Sequence, residues 1–155
     1  METRKLIIPN KILIGEIKKS VREGHSALFL VKGYSMRLFL ENERDKVKIE
    51  PIAPEAVRVR DVVLAEISPD QYVLHRVIRR EGNRLTLMGD GNIKGTETCQ
   101  DTDVVGIATA FYRKGRTTPD LVSSRKCRIY SRLWLALLPC RRIILGIYRR
   151  LPFRI

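Results

Sequence analysis

The chain has 155 residues, which suits one domain with a real core plus an appendage. Its hydrophobic content of 44% is ordinary for a globular protein and excludes wholesale disorder, and no run approaches the roughly 18 apolar residues of a membrane-spanning helix. A formal charge of +13 calls for an anionic partner or surface.

Met1 to Lys5 is followed by the short apolar stretch Leu6-Ile7-Ile8, which Pro9, Asn10 and Lys11 interrupt. That stretch is too short for a signal-peptide core, and no cleavage-type site follows it. Pro9 to Arg22 reads as a helix, with Leu13, Ile14, Ile17 and Val21 at helical spacing. Glu23-Gly24 ends it. Ala27 to Val31 is a buried-strand run, and Lys46 to Glu50 alternates as a half-solvated strand does. Pro51 and Pro54 break that run. Asp61 to Ile67, Tyr72 to Arg79, Arg84 to Met88 and Asp103 to Arg113 read as further strands. Ser68-Pro69-Asp70 and Glu81-Gly82-Asn83 join the first three of these into consecutive hairpins. The predicted fold class is mostly β, a barrel-type domain with an N-terminal helix. Lys114 to Asp120 reads as a linker, so residues 1–120 form the domain and residues 121–155 a tail.

No Asp or Glu follows Asp120. The tail carries Arg125, Lys126, Arg128, Arg132, Arg141, Arg142, Arg149, Arg150 and Arg154, which is +9 of the +13 and leaves +4 for residues 1–120. Apolar groups such as Ile129, Leu133-Trp134, Ile143-Ile144-Leu145 and Ile147-Tyr148 are interleaved with them, and Pro139 divides the predicted helix. Three readings fit: helices packed on the domain or on a protein partner, an interfacial helix on an anionic membrane, or nucleic-acid binding. Sparse aromatics disfavour the last. Cys99, Cys127 and Cys140 have no metal-ligand spacing, and their odd number argues against a disulfide framework. A reducing, cytoplasmic location fits, with the membrane periphery as the alternative.

The chemistry-bearing residues lie at three places. Ser35 sits in Gly33-Tyr34-Ser35-Met36 just after a strand, His75 lies within a strand, and Asp90 lies in Gly89-Asp90-Gly91-Asn92 at the end of the next. A serine hydroxyl needs a base within reach, a histidine can be that base, and an acid can fix the histidine's tautomer. Adjacent strands lie about 5 Å apart, which lets His75 and Asp90 meet. Each residue also has a plainer reading, as a turn serine, a half-buried strand histidine and a turn aspartate. His25-Ser26 is a weaker pair, because neighbours on a strand point to opposite faces.

The words around these residues resemble the type I signal peptidase and LexA-like serine peptidase superfamily. The nucleophile box is Gly33 to Met36. Arg60-Asp61-Val62-Val63-Leu64 is similar to the family's Gly-Asp-Val-Val strand start. Tyr72 to Ile78 resembles the strand bearing the base, Gly89 to Asn92 the Gly-Asp-x-Asn turn, and Val104 to Ala108 a later Val-x-Gly-x-Ala strand. The resemblance spans roughly residues 10 to 115. Having His75 rather than a lysine at the base position makes the chain more similar to the archaeal and eukaryotic branch. The resemblance implies a serine endopeptidase that cleaves an extended precursor or signal-type peptide. Ser35 would be the nucleophile, His75 the base and Asp90 the orienting acid, with no metal or other cofactor. Three features depart from the family. Arg37-Leu38 stands where proline often follows Met36, Gly33 replaces a hydroxyl residue that helps bind the oxyanion, and the usual anchor is missing. These leave a second expectation open, a non-catalytic peptide-binding or membrane-associated accessory protein on the same fold.

Overall fold

A computed structural model describes residues 10–151. The expectations for the opening apolar stretch, for Pro9 as the helix start and for Arg154 lie outside the described residues.

Helix α1 (Asn10–Arg22) buries Ile17 and Val21 and packs Leu13 and Ile14 against the same core. It stops where expected: Gly24 takes a φ of 87° and donates its N–H to the Val21 carbonyl at 3.0 Å. The strands are β1 (Ala27–Leu30), β2 (Lys46–Glu50), β3 (Val62–Ser68), β4 (Gln71–Glu81), β5 (Arg84–Met88), β6 (Glu97–Gln100), β7 (Val104–Tyr112) and the short β8 (Asp120–Leu121). They form an antiparallel sheet in the order β1-β2-β7-β3-β4-β5-β6, with β8 on β7. The predicted hairpins β3–β4 and β4–β5 are present, and Asp70 and Gly82 at their turns have φ of 60° and 58°. The chain is thus mostly β, as its turn and strand spacing predicted. Among the described residues β1 and β6 do not pair, so the sheet is open rather than closed into a barrel.

The run Val62-Val63-Leu64-Ala65 is buried throughout because β3 is covered on both sides. Val62 and Leu64 face one core cluster with Met36, Leu40, Val47, Ile49 and Phe111. Val63 and Ala65 face a second cluster with Val77, Leu85, Leu87 and Cys99. That two-sided burial is why β3 reads as an unbroken apolar run while β2, with one solvated side, alternates.

The tail folds as α2 (Arg125–Ala136) and α3 (Arg141–Arg150). Ser124 caps α2, its Oγ accepting the Cys127 N–H at 3.3 Å. Pro139 sits in the tight turn Leu138–Cys140 that separates the helices, as its missing N–H requires. The pair lies against the body through one face: Cys127, Trp134, Arg141 and Leu145 are buried, and Tyr130 stacks on Phe39 with ring centroids 4.6 Å apart.

Candidate active site

Ser35 and His75 line one cavity of about 590 Å³. Its walls are mostly apolar, built by Leu13 and Ile14 of α1, Phe29 and Leu30 of β1, and Leu64 and Leu74 of the central hairpin. Ser35 is half-buried in the loop that leaves β1, and His75 is buried within β4. Among the described residues Ser35 Oγ makes no hydrogen bond to His75, and the catalytic hydrogen bonds of unliganded sites are often long or absent until substrate closes them.

The loop bearing Ser35 is held by backbone contact with the Gly89–Asn92 turn. The Gly91 N–H donates to the Ser35 carbonyl at 2.7 Å, and the Asp90 N–H reaches Met36 Sδ at 3.4 Å. Both glycines are required by this approach. A Cβ on Gly89 would lie 2.2 Å from the Ser35 carbonyl oxygen, and one on Gly91 would lie 2.6 Å from that of Tyr34. The turn word is therefore a bracket that sets the Ser35 loop against the sheet. The loop itself carries strain: Leu38 has a φ of 77°, a conformation disfavoured for a branched side chain and impossible for proline. A proline at position 38, which the resemblance led one to expect, could not take that backbone.

The expected contact between His75 and Asp90 is replaced by two others. His75 Nδ1 lies 2.8 Å from Glu97 Oε2. The Asp90 carboxylate accepts both arms of Arg76, Nε at 2.8 Å and Nη2 at 2.7 Å. Register gives the reason. Arg76 pairs with Met88 and Val77 with Leu87, so Asp90, two residues beyond Met88, continues on the Arg76 side of the sheet. Leu87 in turn pairs with Glu97, which puts Val77, Leu87 and Glu97 in one cross-strand row. His75 lies two residues from Val77 on that same side, so the acid it meets comes from β6. Strand β6 is short, polar and preceded by a turn-rich stretch, and no strand was expected there.

Arg76 and Asp90 are both fully buried, and Arg76 also donates to the Arg60 carbonyl at 3.0 Å and to Ser131 Oγ at 2.7 Å. Burial alone would push the Arg76 guanidinium down, but the Asp90 carboxylate outweighs it and holds the group above its usual range. The tail closes over the same turn: Trp134 Nε1 donates to the Asp90 carbonyl at 3.2 Å, and Arg141 Nη1 to that of Gly89 at 3.2 Å. Cys99, near Glu97 on β6, is no rival nucleophile. Burial, followed by the charges of Asp103 and Asp101, pushes its thiol up to about 11. Among the described residues no cluster of His, Cys, Asp and Glu could hold a metal ion.

Compared with models of known protein families and with curated protein sequences, the chain matches none.

Proposed function

We propose that the chain is a serine endopeptidase in which Ser35 attacks a peptide carbonyl and His75 takes its proton. The observation that carries this reading is one cavity lined by both side chains, with Nδ1 of the imidazole bound to a carboxylate. A carboxylate on Nδ1 keeps a proton there and leaves Nε2 able to accept one from a hydroxyl. Glu97 takes the orienting role that the sequence assigned to Asp90. Nothing among the described residues accepts the Ser35 N–H, which leaves it free to donate to a developing oxyanion.

The substrate is an extended peptide. Strand β1 ends the sheet order and runs directly into the Ser35 loop, so a peptide adding to its open edge would bring a scissile bond toward Ser35. The apolar walls from α1, β1 and β4 would receive aliphatic side chains of that peptide. The signal-peptidase-like and LexA-like fold is part of the same proposal, carried by the five sequence words and the mostly β sheet.

A fluorophosphonate probe tests the nucleophile. Wild-type protein should be labelled on Ser35, whereas Ser35→Ala and His75→Ala should lose labelling and peptide cleavage together and keep their circular-dichroism melts. Absence of labelling in folded wild-type protein would sink the enzyme reading. A peptide still bound in the cavity would then favour the accessory-protein alternative.

A further inference from the structure

The α2–α3 pair has two faces, and only the inner one is used by the fold. Its aromatic residues all turn inward: Trp134 is buried, Tyr130 stacks on Phe39, and the Tyr148 hydroxyl meets the Glu41 carboxylate. The outer face carries Ile129, Leu133 and Leu137 on the first helix and its end, then Ile143, Ile147 and Leu151 on the second. Their exposures run from 38% to 67%, although four-residue spacing lines them up in one stripe per helix. Solvated helix faces are normally polar, and an exposed apolar patch on this scale marks a contact surface. Arg125, Lys126, Arg128, Arg132, Arg142, Arg149 and Arg150 are exposed around it, and the chain has no acid after Asp120.

A second cavity, about 670 Å³, opens at the start of α2. It is lined by Arg44, Arg113, Lys114, Arg116 and Lys126, with Asp120 the acid in its wall and Leu38 and Phe39 at its floor. Asp120 already serves Arg113 at 3.1 Å, Lys126 at 3.1 Å and Arg116 at 3.8 Å, and buried Asp45 serves Arg113 and Arg44. Four of the five lining cations meet Asp120 or Asp45, and the lining itself holds five cations to one acid, so it is predominantly positive. Lys126 lies three and seven residues before Ile129 and Leu133, on their face of α2, so the cavity continues the apolar stripe.

We infer that this outer face docks on an anionic lipid surface, with the basic cavity beside α2 receiving a lipid phosphate headgroup. Aliphatic side chains would enter the acyl boundary while arginines meet the headgroups. A protein partner is the poorer fit. Protein hot spots are enriched in tryptophan, tyrosine and arginine and poor in leucine; here the aromatics point inward, and the patch is aliphatic with arginines around it, the pattern of an interfacial helix. Neither helix is long and apolar enough to cross a membrane, so the contact would be peripheral.

Co-sedimentation of the full chain with vesicles tests this independently of peptidase activity. Binding should be at least tenfold greater to vesicles holding a third phosphatidylglycerol than to pure phosphatidylcholine. It should fall as salt rises from low to 0.5 M, because screening shortens the reach of the charges. The variant Ile129→Ser/Leu133→Ser/Ile143→Ser/Ile147→Ser changes only exposed side chains and should lose sedimentation while keeping its thermal melt. Lys114→Gln/Arg116→Gln/Lys126→Gln should remove most of the preference for anionic lipid, and inorganic phosphate at millimolar levels should not displace the wild type. Wild-type protein that ignores anionic vesicles, or binds both vesicles alike, would overturn the inference. So would an outer-face variant that binds lipid normally, or one that converts a wild-type dimer to monomer by light scattering, which would assign the stripe to a second copy of the chain.

Discussion

His75 and Arg76 are neighbours on β4, yet their acids play different parts. Arg76 meets Asp90 in full burial, with both guanidinium arms used and the remaining nitrogen shared between Ser131 and a carbonyl. His75 meets Glu97 through one contact, and that glutamate side chain keeps 27% of its exposure. The first pair is a structural rivet at the turn that holds Ser35. The second joins a buried imidazole in the cavity wall to a part-exposed carboxylate. One strand presents both because alternate residues face opposite sides, so adjacent positions can serve a core and a site at once.

The strongest test of that contrast removes one acid at a time. Asp90→Asn strands the buried Arg76 charge and should lower unfolding free energy by about 3–5 kcal/mol, read from urea denaturation. Replacing both partners by apolar residues, Arg76→Met with Asp90→Leu, should recover much of that loss, since the penalty belongs to the unpaired charge. If Asp90→Asn is as stable as wild type and the cleavage rate alone collapses, Asp90 is the orienting acid after all.

Glu97→Gln should act the other way. Stability should change by less than about 1 kcal/mol, because the pair is single and part-exposed. The specificity constant for peptide cleavage should fall about 100-fold, as the imidazole loses its orienting charge. An unchanged specificity constant would leave Glu97 a merely structural neighbour.

Gly89→Ala sharpens the comparison from the bracket's side. The added methyl must push against the Ser35 carbonyl, so the Ser35 loop shifts while His75–Glu97 is untouched. Cleavage should drop at least tenfold. A wild-type rate would show that the turn does not set the position of Ser35.

The smallest effect lies away from both pairs, at Asp45. Burial pushes its carboxyl up, but hydrogen bonds from Arg44, the Glu41 N–H and Arg113 outweigh that and hold it below the ordinary aspartate value of 3.8. A depressed carboxyl stabilises the fold above its unfolded value and loses that contribution as pH falls through the folded value. Asp45→Asn should therefore cost about 1–3 kcal/mol near neutrality, and its melting curve should approach wild type as pH falls below the ordinary aspartate value. A gap that does not narrow on acidification would show that packing, not charge, is lost.

The cost of splitting the molecule follows from the same contacts. Residues 121–155 read as a separable basic tail, but Trp134 and Arg141 bind the carbonyls of the turn that brackets Ser35. A chain ending at Asp120 would uncover Phe39, Arg76 and that turn, and should lose cleavage as well as lipid binding.

What the sequence determined by itself was whatever local spacing encodes. Alternation named β2, punctuation by Pro69-Asp70 and Gly82-Asn83 named two hairpins, helical spacing named α1, and Pro139 divided the tail. Ser35 and His75 were legible because each sits in a distinctive word. Which acid serves His75 was decided only in three dimensions, since it depends on register carried across β4, β5 and β6, and the last of these has too little apolar pattern to announce a strand. The tail's two faces were decided there as well. Periodicity shows that a helix has sides, but only packing chose Trp134 and Leu145 for the core and left Ile129, Leu133, Ile143 and Ile147 facing out.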